Sequence, residues 1–417
     1  MPATSAGMTK EKMPDTLKVR DSKDVERVVA WALAEGRRLN VTGQGSKQAI
    51  GRPSQTDLTL DVSALTGVTL YEPQELVLSA RAGTPIAEIE KLVADNGQEL
   101  AFEPLDYGPV FGQPRGRGSI GGVLAANLSG PRRIKAGAAR DHFLGVTAVS
   151  GRGETFKSGG RVVKNVTGYD LCKLLAGSFG TLAVMTDVTI KTLPRAEAET
   201  TVMVLGLDDR RACQAMAEAM GSSCEVSGAA HLPLHICAHF EALRALTASA
   251  TVFRLEGVGP SIAHRKSVLA AMMRPHGAVE MLDEAASRLL WRGIRDAAPF
   301  DHGPEASRVL WRVSVPPARG HELAEMISTG AEMFYDWAGG LVWIAMPPAE
   351  DAGALQLRDA VAILGGHATL IRAPVTTRAV VDVFEPQDSG VAALTRRVKE
   401  SFDPKGILNP GRMWADV

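Results

Sequence analysis

The chain has 417 residues, with 46 Lys+Arg against 47 Asp+Glu, 45% hydrophobic and 22% charged residues. That length favours two domains over one, and the near-zero net charge argues against nucleic acid as the main partner, because phosphate binding needs a basic face. No uninterrupted apolar run reaches the ~18 residues of a membrane span, and Cys172, Cys213, Cys224 and Cys237 form no CxxC pair. The thiols therefore read as reduced and the protein as cytoplasmic, and any iron–sulfur cluster must sit on another protein.

Residues 1–16 lack an apolar segment and read as a disordered leader. Ser22 is expected to cap a helix carrying Val25, Val28, Val29 and Leu33 at helical spacing, with Gly36 ending it. A short strand at 39–41 runs into a loop, and Leu58, Leu60 and Val62 alternate as in a strand. Thr84 and Pro85 open a helix through Ile86, Ile89, Leu92 and Val93, closed by Gly97. Further on, residues 146–150 read as a strand, 171–175 as a helix, and Val184, Thr186, Val188 and Ile190 as one strand face. Residues 196–200 look like a linker. Beyond it, strands are expected at 201–205, 234–238, 252–255, 309–315 and 342–345, with helices at 210–220 and 261–273. That mixture predicts an α+β domain with an antiparallel sheet.

Chemistry concentrates in a glycine-rich stretch, 116–146. Gly116, Gly118, Gly121, Gly122 and Gly130 are interleaved with Ser119, Asn127 and Ser129. Glycine loses more entropy on folding than any other residue, so such a run implies a backbone-lined site for a phosphate-bearing cofactor. A second loop, Gly43, Gln44, Gly45, Ser46, Lys47 and Gln48, follows a strand and can present N–H groups to a pyrophosphate, although alone it reads equally well as a turn. No GxGxxG Rossmann fingerprint and no P-loop occur.

Taken in order, this first loop, the run Ser119–Ile120–Gly121–Gly122 through Ala125 and Asn127, and the strand from Gly180 through Val184 resemble the vanillyl-alcohol-oxidase-type FAD-binding proteins. The resemblance implies a two-subdomain PCMH-type FAD-binding domain over 17–195. An α+β antiparallel-sheet cap domain would follow over 196–380, and a C-terminal tail, 381–417, would return to the FAD domain. It also implies that FAD is held by these loops, with Gly118, Ile120 and Asn409 close by. Asn409 has a competing reading as a plain helix stop. No His or Cys occupies the first loop, so binding is expected to be non-covalent, with loop N–H dipoles rather than cationic side chains balancing the pyrophosphate.

Within that family, the segments Gly130–Pro131–Arg132–Arg133 and 163–171 are similar to FAD-binding subunits of glycolate oxidases. This closer resemblance implies oxidation of glycolate, a small 2-hydroxy acid, to glyoxylate, with electrons passed to an iron–sulfur partner. A second homologous FAD subunit would complete the complex, and membrane contact would be peripheral only. A non-catalytic subunit with structural FAD and a stand-alone oxidoreductase are the alternatives.

Catalytic dehydrogenases of the group resemble one another in an EHG motif that is missing here. Gly365–Gly366–His367 is the comparable fragment, so His367 is the candidate proton acceptor, against the commoner reading of a histidine at a sheet turn. Arg292, Arg312 and Arg372 can grip a carboxylate bidentately, and Arg372, near His367, is the first candidate. His235, Cys237 and His239 would share one face of a strand, but ligand pairs and carboxylates are lacking, so no metal is expected. Residues 395–400 read as a solvated helix face, and the loop 402–411 as too polar for a core element.

Overall fold

The computed structural model describes residues 15–161, 168–327 and 330–417. Residues 1–14 of the expected leader and most of the 163–171 motif lie outside the described residues, whereas Thr16, placed in the leader, already belongs to a strand.

A small parallel sheet opens the chain, with Leu58–Asp61 between Thr16–Lys18 and Leu39–Thr42. Helix Ser22–Glu35 covers it, burying Val25, Val29 and Ala32. Those positions lie four and three residues apart, one stripe of an amphipathic helix. Its N-cap is Asp21, whose carboxylate accepts the Asp24 N–H, and not the expected Ser22, which begins the first turn. Asp and Ser cap about equally well, so the position is decided by the extended backbone of Asp21. Gly36, in the left-handed conformation, ends the helix as expected.

A second, antiparallel sheet has five strands in the order Val68–Glu72, Val77–Arg81, Ala183–Lys191, Phe143–Ser150, Thr155–Gly159. Helices Ile86–Asp95 and Ile120–Ala125 pack near it, joining a core that includes Ile89, Ile120, Phe143 and Ile190.

The third sheet is antiparallel throughout, with eight strands ordered Ala278–Leu282, Ala198–Leu205, Ala250–Gly257, Gly228–Leu232, Glu332–Asp336, Leu341–Met346, Val309–Ser314, His367–Arg372. Its faces do different things, because side chains alternate along a strand. Trp311, Val313, Val342 and Ile344 pack outward against helices Asp209–Met220, Gly259–Met273 and Ala354–Leu364. Leu310, Trp343, Phe334 and Ile371 point inward and share a core with the five-stranded sheet. Burying each such side chain contributes about 1.5–3 kcal/mol, so this shared core fixes the sheet's position.

Two expectations in this region need correction. Residues 196–200 are not a linker, since the edge-to-edge pairing begins at Ala198. The expected strand at 234–238 is the short helix Leu234–Cys237. Pro233 lacks the N–H that a continuing ladder requires, and its carbonyl instead accepts from Ile236 and Cys237 N–H. His235, Cys237 and His239 therefore do not share a strand face, and the Cys237 thiol faces the Leu232 carbonyl.

The tail returns to the first sheet. Leu39 N–H donates to Ile407 O at 2.7 Å and Asn409 N–H to Leu39 O at 3.0 Å. Ile407 and Leu408 are buried despite their polar surroundings, because Asp403 satisfies both of their N–H groups. Residues 395–400 are likewise not simply a solvated face. Within helix Ser389–Phe402, Lys399 is buried and its ammonium donates to Asp403, Thr181 O and Leu408 O.

Candidate cofactor site

Where the ends of the first two sheets meet, an open cavity of ≈ 710 Å³ is lined by the whole first loop, Gly43 through Gln48. The backbone N–H groups of Gly43, Gln44, Gly45, Ser46 and Lys47 donate to no other described residue. Five successive unpaired donors form a cradle for an anion. Side chains brace the loop rather than fill it: Gln44 Nε2 donates to Gly83 O, and Gln48 Nε2 to Thr42 Oγ1.

Ser119, Gly121, Gly122 and Ala125 form the opposite wall. Ser119 caps helix Ile120–Ala125, its Oγ accepting the Gly122 N–H. Ile120 and Gly121 N–H are taken by Thr84 O and Ala82 O. This wall therefore contributes shape, while the first loop contributes donors. Close approach explains two glycines. A Cβ on Gly121 would stand 2.7 Å from Ala82 O, and one on Gly43 would stand 2.7 Å from Ser119 Oγ. Gly180 and Val184 complete the lining.

The cavity also contains two cations, contrary to an expectation of N–H dipoles alone. Burial pulls the Lys47 ammonium down to about 8, against the attraction of Asp106 and with the repulsion of Arg412. Its Nζ donates to Ser46 Oγ at 3.1 Å. Arg412 is lowered to about 10 by burial and by Arg378, and its Nη2 donates to Lys47 O at 2.9 Å. Two buried cations beside unpaired N–H groups fit a pyrophosphate dianion, which would restore both charges to favourable surroundings. No pattern in the sequence connects Arg412 to Lys47, because the link is made only when the tail folds back.

Four expected residues stand outside this lining. Ile120 is fully buried core. Gly118 gives room to Lys47, whose Nζ would lie 3.3 Å from a Cβ there. Asn127 accepts the Arg140 N–H through Oδ1. Asn409 is buried, with Oδ1 accepting Val41 N–H and Nδ2 donating to Phe179 O, so it positions two lining segments without touching the cavity.

A second cavity of ≈ 480 Å³ adjoins the first through the shared residues Ala126 and Phe179 and lies under the inward face of the eight-stranded sheet. Asn127 lines this one, together with Tyr107, Arg312 and Thr369. His367 begins its strand opposite Ser314, on the face shared by Thr369, but it is exposed and lines neither cavity. Arg372 is not free to grip a substrate. Its guanidinium donates to four backbone carbonyls, those of Arg308, Val110, Phe300 and Glu305. Arg292 lies elsewhere, on a polar cleft with Glu90, Glu199 and Arg288. Of the three arginines, the structure places only Arg312 against the cavity system.

The FAD binding domain family matches residues 16–159, and the C-terminal domain of FAD linked oxidases matches residues 385–413. The chain is 33% identical over 397 residues to glycolate oxidase subunit GlcE of Escherichia coli (strain K12), covering 93% of this chain and 96% of that one. It is 22% identical to glycolate oxidase subunit GlcD of Bacillus subtilis (strain 168), covering 97% and 90%. Its fold matches 4-ethylphenol oxidase from Gulosibacter chungangensis with a TM-score of 0.71 at 14% identity, over 96% of this chain and 89% of that one.

Fold, cavity and family matches together define an FAD-linked oxidoreductase with the PCMH/VAO-type FAD-binding fold. Its cofactor is FAD, and the first loop, the Ser119 wall, Lys47 and Arg412 are the groups that fit it. The chain belongs to the family of the glycolate oxidase subunit GlcE.

Proposed function

We propose that this chain is an FAD-carrying subunit of a complex that oxidises glycolate, or a closely similar 2-hydroxy acid, to the 2-oxo acid. The observation that carries the reading is similarity to a glycolate oxidase subunit along nearly the full length of both chains, together with a donor cradle suited to a dinucleotide. FAD, when bound, supplies the acceptor for the two electrons and the α-hydrogen that leave the alcohol carbon. This chain's own residues bind and orient it. The five N–H groups and two cations hold the pyrophosphate, and Asn409 fixes the strand ends on either side. No His or Cys lines either cavity among the described residues, which supports non-covalent attachment.

The same absence favours a division of labour. With no histidine on the lining, proton removal from the hydroxyl falls to a second homologous FAD subunit, and electrons leave through an iron–sulfur partner. The chain's membrane contact would then be peripheral, through its partners. No helix among the described residues is long and apolar enough to cross a membrane.

Affinity purification of the full chain from its own cell tests the complex. Co-purification of a second flavoprotein and an iron–sulfur protein, with flavin bleaching on anaerobic addition of glycolate, is the expected result. A yellow chain that purifies alone and turns over another alcohol with an artificial acceptor would replace the reading with that of a stand-alone oxidoreductase. A complex whose flavin at this chain never bleaches would make its FAD structural.

A further inference from the structure

Most of the partly or fully buried arginines among the described residues have carboxylate or carbonyl partners, although Nε of Arg254 and of Arg288 makes no hydrogen bond. Arg254 makes a bidentate pair with Glu103, Arg132 bridges Glu99 and Glu256, Arg358 meets Glu385 and three carbonyls, and Arg372 meets four carbonyls. Arg312 is different. It stands in the middle of strand Val309–Ser314, paired with Thr369 on one side and Trp343 on the other. That register turns it inward, onto the second cavity. There its guanidinium stacks on Trp337, 4.7 Å from the ring centroid, and has no hydrogen bond or ion pair with any described residue. A stacking contact stabilises the cation but leaves its five N–H donors unfilled.

Tyr107 repeats the pattern from the FAD-domain side. It is 2% exposed, lines the same cavity, and its hydroxyl has no partner among the described residues. Burial pushes its pKa up to about 12, so at neutral pH it is a proton donor, and the Arg312 charge reaches it. Thr369, paired with Arg312 on the sheet side, adds a second hydroxyl, also without a partner. The carboxyl that most affects Arg312 is that of Asp336, which is buried and accepts the Trp337 N–H. Arg133, from the GPRR segment, stacks on the same indole at 4.3 Å and likewise has no ion pair. Donors that line one cavity and have no protein partner are open to an acceptor that arrives from outside.

We propose that Arg312 and Tyr107 form a carboxylate-binding subsite, with Thr369 positioned for an oxygen on the adjacent carbon, so that a small 2-hydroxy or 2-oxo carboxylate binds to this chain itself beside its own cofactor cavity. Guanidinium and carboxylate meet in a bidentate fork, and the Tyr107 hydroxyl donates to one carboxylate oxygen. Arg133, on the same indole as Arg312, adds a second positive charge nearby and gives binding a salt-dependent component. The inference rests on the proposed 2-hydroxy acid function for its choice of ligand, but not for the existence of the subsite. It also holds whether the α-hydrogen leaves at this chain's FAD or at that of a homologous subunit.

The test uses the full FAD-loaded chain and oxalate, a planar carboxylate with oxygen on the neighbouring carbon. Binding is read by calorimetry and by perturbation of the visible flavin spectrum, with ethylene glycol as the uncharged control. Wild type is expected to bind oxalate and ignore ethylene glycol. Arg312→Leu should weaken oxalate by about thirtyfold and Tyr107→Phe by about tenfold, the range for lost charge-assisted hydrogen bonds. Arg312→Lys should recover part of the loss, and FAD content and Tm should remain at wild-type values. Oxalate binding that is unchanged in Arg312→Leu, or absent from a wild type that carries FAD, overturns the subsite. If oxalate binds through Arg312 while glycolate never reduces the complex, the subsite stands and the glycolate reading falls.

Discussion

Asn409 Oδ1 accepts a hydrogen bond from the Val41 N–H at 2.7 Å, between residues 368 positions apart. Its other amide atom, Nδ2, donates to Phe179 O at 2.8 Å, and its backbone N–H donates to Leu39 O. One buried side chain therefore ties the strand that launches the first loop to the segment that closes the cavity. The asparagine also sits at φ +44°, a left-handed conformation that Asn tolerates better than most residues.

Replacing it tests whether the tail matters to cofactor binding. Asn409→Ala removes both side-chain bonds, leaves Val41 N–H and Phe179 O unpaired, and adds strain at positive φ. A loss of about 2–4 kcal/mol in stability is expected from these together. FAD should dissociate faster, because the two lining segments lose their tie. Asn409→Asp keeps the acceptor for Val41 but opposes the Phe179 carbonyl with a negative charge, so it should be at least as damaging. Chemical denaturation and the rate of FAD release, read from the fluorescence of free flavin after dilution, measure both effects.

How far the sequence reveals this site depends on how local each contact is. The loop from Gly43 to Gln48 and the wall at Ser119, Gly121 and Gly122 are legible, because close backbone approach demands small residues in consecutive positions. Lys47 could be named from its loop, but its burial could not. Arg412 and the role of Asn409 were hidden, since both depend on a tail that docks more than 350 positions from its targets. The eight-stranded sheet was legible as a class from its apolar runs. Its helix at Leu234–Cys237 reads as a strand in the sequence because four residues are too few for a period to show. Among the arginines, sequence proximity to His367 favoured Arg372, whereas the strand register commits Arg372 to carbonyls and leaves Arg312 free.

Lys47 links cofactor binding to pH. Burial holds its ammonium near 8, and a pyrophosphate beside it would raise that value. Binding then takes up a proton above pH 8, so FAD affinity should fall as pH rises, by up to about tenfold per unit. Lys47→Gln should bind FAD more weakly at pH 7 and lose this dependence. In the cofactor-free protein the effect on stability has the opposite direction. A depressed lysine pKa means that the folded state binds fewer protons between about 8 and the unfolded value of 10.5, so stability rises with pH over that window. Lys47→Gln should therefore raise the Tm of the FAD-free chain at pH 7 while lowering its affinity. Fluorescence titration of FAD from pH 6 to 10, with thermal melts of both forms, separates the two.

Arg372 and Arg312 lie on adjacent strands and predict opposite phenotypes. Arg372→Leu leaves the carbonyls of Val110, Phe300, Glu305 and Arg308 without their donor and should cost about 3 kcal/mol or more of stability. Oxalate affinity of the surviving folded fraction should be unchanged. A loss of affinity with unchanged stability would instead return Arg372 to the role of substrate grip. Denaturant midpoints and oxalate titrations on the same preparations decide between these outcomes.

Asp336 gives a second pH signature, of stability alone. Burial raises its carboxyl to about 7, partly opposed by the hydrogen bond it accepts from Trp337 N–H. The folded state thus binds a proton that the unfolded chain has already lost between its ordinary value of 3.8 and about 7. Its contribution is complete below 3.8 and is lost as pH rises through 7. Glu199, also raised to about 7 by burial, acts in the same direction at the polar cleft. Asn at position 336 keeps an acceptor for the Trp337 N–H and removes the charge. Asp336→Asn should therefore melt several degrees higher than wild type at pH 8 and nearly with it at pH 5. Glu199→Gln should show the same pattern, and the double variant should add the two, because separate sites contribute independently. Equal Tm shifts at both pH values would mean that neither carboxyl is protonated by burial, and would place the pH dependence elsewhere.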